Sequence, residues 1–460
     1  MTPRRESRPP RRGLGAAAAA LALLALLPRE ALAQSAEPTA AGGGWELGFE
    51  LKAHHRDSEY LAVPINFPFF PEQLPPGQAT GLLETVEEGA HTEFSALTLR
   101  LGKRWSGGEF FLKIDVEQLH DRNPTSTGRE VDVDEAWIRF GRETPPALLA
   151  ERSGAYLKLG KFAAFERQDD RHLESYGLVS TAFNRMEDVG AEVGFDVGRH
   201  LYLKGSYTQG NPVFMRDPNA LAGDNGTPEF TELNPDPRYR SGIVIHYDAD
   251  VADLDFENPE IGAGLGLRVA DLDGRNGADL LIWGRERDLA ETVELHGTFY
   301  GGDLDLLRGP LNLFPFALTD DVKTEHGANL WLYLGGFTFF GQYVDQEVGG
   351  LPRTGIEGEM AWTFDLPLRW SAGGAQLFPH IAPTVRYSRL EPDFAAPPVT
   401  PSPSFSWEWE KWDAGIRLGI ARGHDLTVEV ARNEFVLASG ATREYAETLV
   451  TVRYRRDVVR

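Results

Sequence analysis

From Trp45 to Tyr454 the chain is a succession of stretches, each about ten residues long, in which apolar and polar residues alternate between turns. Phe110, Leu112, Ile114 and Val116 share one parity, and Phe111, Lys113, Asp115 and Glu117 the other. Ala136, Ile138 and Phe140 stand against Glu135, Trp137 and Arg139 in the same way, as do Leu426, Val428 and Val430 against Thr427 and Glu429. Successive side chains of a strand point to opposite faces, so each stretch has one apolar and one polar face. A soluble sandwich has this property as well. A transmembrane barrel adds many repeats of it, with short turns on one side and long polar loops on the other.

The N-terminus reads as an address. Arg4, Arg5, Arg8, Arg11 and Arg12 precede an apolar run from Leu14 to Leu27, and Ala31-Leu32-Ala33 is an A-x-A cleavage site. Residues 1–33 are therefore expected to be a cleaved signal peptide, with Gln34 the mature N-terminus. Arg11-Arg12 leaves a twin-arginine signal as the alternative. Removing residues 1–33, with six Arg and two Glu, takes the formal net charge from −23 to −27. Such acidity argues against a nucleic-acid partner. With no cysteine, an exported chain has neither disulfide staples nor thiolate metal sites. Beyond the signal no run approaches the roughly 18 apolar residues of a membrane helix, so a membrane form has to be a closed barrel. The 49 Gly, 26 Phe and 10 Trp suit tight turns and aromatic girdles, and would equally suit a soluble all-β protein.

Organisation decides between the two. About eighteen strand-like stretches are readable, among them 239–248 and 292–306, and sixteen is the count if Asp279 to Leu307 is parsed more sparingly. Short connections at 105–108, 198–200, 335–336 and 422–424 alternate with long ones at 57–91, 121–130, 166–187, 210–238, 308–325 and 390–408. A sandwich has no reason to sort its connections by length. The expected fold is all-β: a transmembrane antiparallel β-barrel of about 16–18 strands over residues 45–460, behind a short segment 34–44, with short periplasmic turns and long extracellular loops. The expected location is the outer membrane of a Gram-negative bacterium, in contact with its lipid and lipopolysaccharide.

Parity turns Arg100, Lys113, Asp115, Glu117, Glu135, Arg139, Lys158, Arg386 and Arg417 toward the lumen. These side chains either line a water-filled passage or form salt bridges that stiffen the wall. Asp271 to Gly277 has oxygen ligands at alternate positions but lacks the terminal Glu of a calcium loop, and reads as a plain turn. Gly262 to Gly266 lacks both the spacing and the β-α-β setting of a dinucleotide site. His54-His55 stands at a strand end and reads as interfacial. No Ser/His/Asp set is legible. The expectation is no enzyme, no cofactor and no metal.

The run Tyr156 to Phe195 has a strand ending L-G-K-F, an F-E-R turn, a loop through L-E-S and A-F, and a return D-V-G-A-E-V-G-F. With the hairpin from His326 to Phe364, it resembles the phosphate-selective porin O/P-type family. The acidic chain departs from the basic pore that phosphate selectivity requires. The resemblance implies a trimeric passive channel for small polar or ionic solutes, with a loop folded into the lumen. Residues 166–187 fit that loop, and Glu166, Arg167, Asp169, Asp170, Arg171, Glu174 and Arg185 would line or brace the constriction. A solvated external loop is the other reading of the same charges. The alternatives in function are a polysaccharide (alginate-type) export barrel, an outer-membrane barrel enzyme or an adhesin. Charge balance within the loop leaves the global sign to decide selectivity, toward cations or none.

Overall fold

The computed structural model describes residues 45–59, 61–65, 81–86, 89–116, 132–165, 171–175, 177–183, 187–210, 246–249, 256–271, 275–289, 293–296, 319–372, 374–394, 407–421, 423–436 and 440–459. The proposed signal peptide and segment 34–44 lie outside these residues. Alternation pays off in a ring. The strands are β1 (Trp45–Ser58), β2 (Gly89–Trp105), β3 (Gly108–Val116), β4 (Asp132–Gly141), β5 (Gly154–Phe162), β6 (Asp188–Val197), β7 (Leu201–Thr208) and β8 (Glu260–Ala270). They continue as β9 (Asn276–Asp288), β10 (Val322–Leu334), β11 (Phe337–Val348), β12 (Leu351–Trp362), β13 (His380–Pro392), β14 (Glu408–Ala421), β15 (His424–Val436) and β16 (Thr442–Val459). Each pairs antiparallel with the next, and β16 pairs with β1 from Ser58↔Glu447 to Glu46↔Val459. The result is a closed sixteen-stranded antiparallel barrel. Closure removes every sheet edge, which is what lipid demands of a β-structure.

Two expected strands are not in the wall. The described parts of 239–248 and 292–306, His246–Ala249 and Val293–His296, pair with each other in a separate two-stranded ladder. Alternation marks any half-buried strand and cannot separate a wall strand from a loop hairpin. The ends also sort less strictly than expected. At the end holding residues 45 and 459, the connections 142–153 and 363–379 are long. At the opposite end β11 and β12 meet in the two-residue turn Gly349-Gly350, whose φ values of 59° and 82° need glycine.

The outer face is apolar. Leu99, Leu203, Leu265, Leu280, Ile282, Leu330, Ile356, Val385, Val428 and Val430 are all exposed there. Exposed Trp45, Trp105, Phe140 and Trp362 mark the end that holds the chain's described termini, and Tyr207 with Phe256 and Tyr387 with Trp412 the other. An apolar band between two aromatic girdles is the surface of a barrel that spans a membrane. On the inner face Thr427 and Glu429 are buried where Val428 and Val430 are exposed, as the alternation requires.

Candidate functional site in the barrel interior

The interior is not an empty tube. The connection from β5 to β6 enters it. A short helix, α1 (Leu178–Ala182), packs against β12 and β13, on a distant part of the ring. Leu173, Leu178, Val179, Ala182 and Phe183 of this segment are buried. Val344, Val348, Leu351 and Leu390, on the inner face of β11 to β13, are buried as well. The wall leaves room for the segment. A Cβ on Gly355 would stand 2.5 Å from the Phe183 ring, and one on Gly415 2.7 Å from Leu173.

Polar contacts lock the segment from both sides. Its backbone N–H groups donate to wall carboxylates: His172 to Glu359 at 2.8 Å, Glu174 and Ser175 to the two oxygens of Glu429 at 2.7 and 2.8 Å, and Val179 to Glu357 at 3.1 Å. Its carbonyls accept from wall guanidinium groups: Arg171 from Arg417 at 2.8 Å, Ser175 from Arg386 at 2.7 Å, and Ala182 from Arg353 at 2.8 Å. A loop inside a barrel otherwise carries unmet backbone groups at a cost of several kcal/mol each. Three carboxylates and three arginines, all from β12 to β15, remove that cost here. Arg386 also donates to Asp413 at 3.0 Å and lies 3.6 Å from Glu359. Glu174 reaches Lys52 at 3.0 Å and Arg417 at 3.2 Å. Burial raises its pKa, but these two charges, with Arg453 and Arg171, outweigh burial and hold the carboxyl well below its ordinary range.

A second network runs along the wall from β4 to β9, toward the end that holds residues 45 and 459. Glu143, in the connection from β4 to β5, takes Arg139 at 2.7 Å, Lys204 at 2.8 Å and Lys158 at 3.1 Å. Burial opposes its ionisation, and the three cations, Lys204 foremost, bring its pKa well below the usual value. Arg268 joins Asp196 at 2.5 Å to Asp279 at 3.1 Å, and Tyr202 donates to Asp279 at 2.7 Å.

Between these bodies the inner face differs around the ring. Apart from Asp425, at 14%, charged side chains facing inward from β12 to β15 are 5% exposed or less, whereas those of Lys52, Arg100, Lys113 and Asp115 are 17–24% exposed. Water therefore reaches the wall from β1 to β4, with Arg139 and Glu109 ion-paired toward the end that holds residues 45 and 459.

The sequence-derived site residues divide accordingly. Arg100, Lys113, Asp115 and Arg139 lie on the water-reached wall. Glu135 and Lys158 face inward but are buried. Arg386, Arg417 and Glu174 hold the inward segment, and Arg171 is half-buried in it. Glu117, Glu166, Arg167, Asp169, Asp170 and Arg185 lie outside the described residues. His54 is not interfacial: it is buried on the inner face, with Nδ1 2.7 Å from the Thr451 hydroxyl. The Asp271 carboxylate accepts from the Arg275 N–H at 2.9 Å and the Asn276 amide at 2.7 Å, the bonding of a plain turn. The locking residues Arg353, Glu357, Glu359 and Glu429 were missed. Their only sequence signal is charge on the inward parity of β12 and β15, which does not say what the charge holds.

No family model matches the chain, and no curated protein matches it. Solved structures do. OprB of Pseudomonas putida is 9% identical, with a TM-score of 0.50 over 90% of this chain and 94% of that one. The outer membrane channel DcaP of Acinetobacter baumannii is 11% identical, with a TM-score of 0.48 over 92% of this chain and all of that one. OmpF of Salmonella typhi is 8% identical, with a TM-score of 0.46 over 90% and 98%. The likeness to OprB is one of fold.

Proposed function

We propose that this protein is a porin-like channel of the Gram-negative outer membrane, passing small polar or ionic solutes by diffusion without a chemical step. The observation that carries this reading is the uneven interior: a segment pinned to β12–β15, and ion-paired, partly exposed side chains along β1–β4. A lipid-facing band with water-facing charges behind it is the arrangement of a barrel with an aqueous lumen. The passage is lined by Lys52, Arg100, Lys113, Asp115 and Arg139. Residues 1–33 direct export and are removed at Ala33, the long loops face outward among lipopolysaccharide, and the mature chain assembles as a homotrimer.

Planar-bilayer recording of purified protein tests the reading. Stable, ohmic unitary steps are expected, and a correctly folded protein that never conducts would overturn it. In a salt gradient the reversal potential should show weak cation preference or none. Cations and carboxylates alternate on the passage wall, and the mature chain, at −27, is acidic. Strong anion preference would refute that sign.

A further inference from the structure

We infer that Phe111 and Trp137 form a stacking site for neutral, ring-bearing polyols, that is sugars, on the wall of the passage. The inference rests on the channel reading, because it places a solute in that passage.

The two residues are cross-strand partners on the inner face of β3 and β4, with ring centroids 5.4 Å apart and planes tilted by 31°. Both are half-buried, unlike Trp283, Trp331 and Trp409 elsewhere on the inner wall, which are buried. Their neighbours in the same cross-strand row are glycines: Gly102 beside Phe111 and Gly160 beside Trp137. No side chain flanks the pair along that row. The rings thus form a step of apolar surface on a wall that is otherwise charged.

The polar groups next to this step select the guest. One inner-face position away along the strands, about 7 Å, Lys113 pairs with Asp134 and Asp115 on one side, and Arg139 with Glu109 and Glu143 on the other. An anionic guest would meet these four carboxylates and Glu135, which accepts from the Trp137 indole N–H at 3.0 Å. A cationic guest would meet Arg139 and Lys158, each already 5.4 Å from the Trp137 ring centroid. A neutral ring meets neither penalty. Its C–H face covers the aromatic surface, and its hydroxyls find donors and acceptors interleaved at both edges.

Maltotriose is the probe, and the linear polyol sorbitol the control. Ion current through single channels is recorded as each is added, and heat-modifiable gel mobility checks folding of every variant. Maltotriose is expected to interrupt the current at concentrations where sorbitol does not. Phe111→Ala and Trp137→Ala should raise the half-blocking concentration about tenfold, the loss of roughly one ring contact. Phe111→Tyr, which keeps the ring, should retain the block. Equal block by sorbitol, or equal half-blocking concentrations in wild type and both alanine variants, would overturn the inference while leaving the channel intact. If the folded protein conducts no ions, the channel reading itself fails. The site is then decided by tryptophan emission in detergent: a saturable change with maltotriose that Phe111→Ala removes supports it, and no saturable change refutes it.

Discussion

Arg386 shows what a single residue does in this interior. Its side chain is fully buried, donates to Asp413 and to Ser175 of the inward segment, and lies beside Glu359. Replacing it with Met takes the arginine from Glu359 and leaves Asp413 with Lys411 alone, 3.2 Å away, at a cost of about 3–5 kcal/mol. Denaturant unfolding in detergent should register that loss, and a change below about 1 kcal/mol would mean the network is solvated. Glu187, just before β6, is the opposite kind of residue. Burial first, then the neighbouring Asp134 charge, pushes its pKa up from 4.5 to about 8. A carboxyl raised in the folded state favours folding fully below its ordinary value. That contribution falls as the pH rises and is gone above about 8. Thermal midpoints of wild type and Glu187→Gln, compared across this range, should diverge in favour of Gln as the pH rises. A constant gap would show that Glu187 is ionised throughout.

Among elements, the inward segment is a small folded body rather than a dangling loop. Apolar side chains seat it against β12 and β13, and paired charges hold its backbone. Leu178→Asp puts a carboxylate into the apolar seat, so the segment should detach. Unitary conductance is then expected to rise, because the freed segment no longer fills the β12–β15 side of the lumen. Unchanged conductance in a folded variant would mean that some other element sets the width of the passage. The resemblance raised the question of an inward loop, yet the loop's own residues do not answer it. The answer is in the partners, and His172 and Glu359, or Ser175 and Arg386, are separated by too much chain for any local pattern to pair them.

For the whole molecule, the solvent reverses the usual rule: apolar side chains face out and charges face in. Ile282 is 57% exposed near the middle of β9, in the apolar band. Ile282→Arg should therefore destabilise the barrel in lipid by about 2–4 kcal/mol. Lys113→Gln, on the water-reached wall, should change stability far less. Reversible unfolding from bilayers measures both, and equal effects would place the two residues on the wrong faces.

Alternation along the sequence determined which residues share a face, because strand parity is a local property of the backbone, and the sorting of connections by length turned that reading into a many-stranded barrel. Leu112 and Lys113, or Val428 and Glu429, are sorted by nothing more than their position in the strand. The number of wall strands was less legible: 246–249 and 293–296 alternate too, and only pairing partners separate them from the ring. What tertiary structure alone decided is the use of the interior. Arg100, Lys113 and Arg139 face a water-reached wall while Arg386 and Arg417 grip a folded segment, although all five share the same inward parity. Which charge meets water and which meets a backbone carbonyl depends on where the connection from β5 comes to rest across the barrel. That is set by contacts between distant residues, to which a period of two is blind.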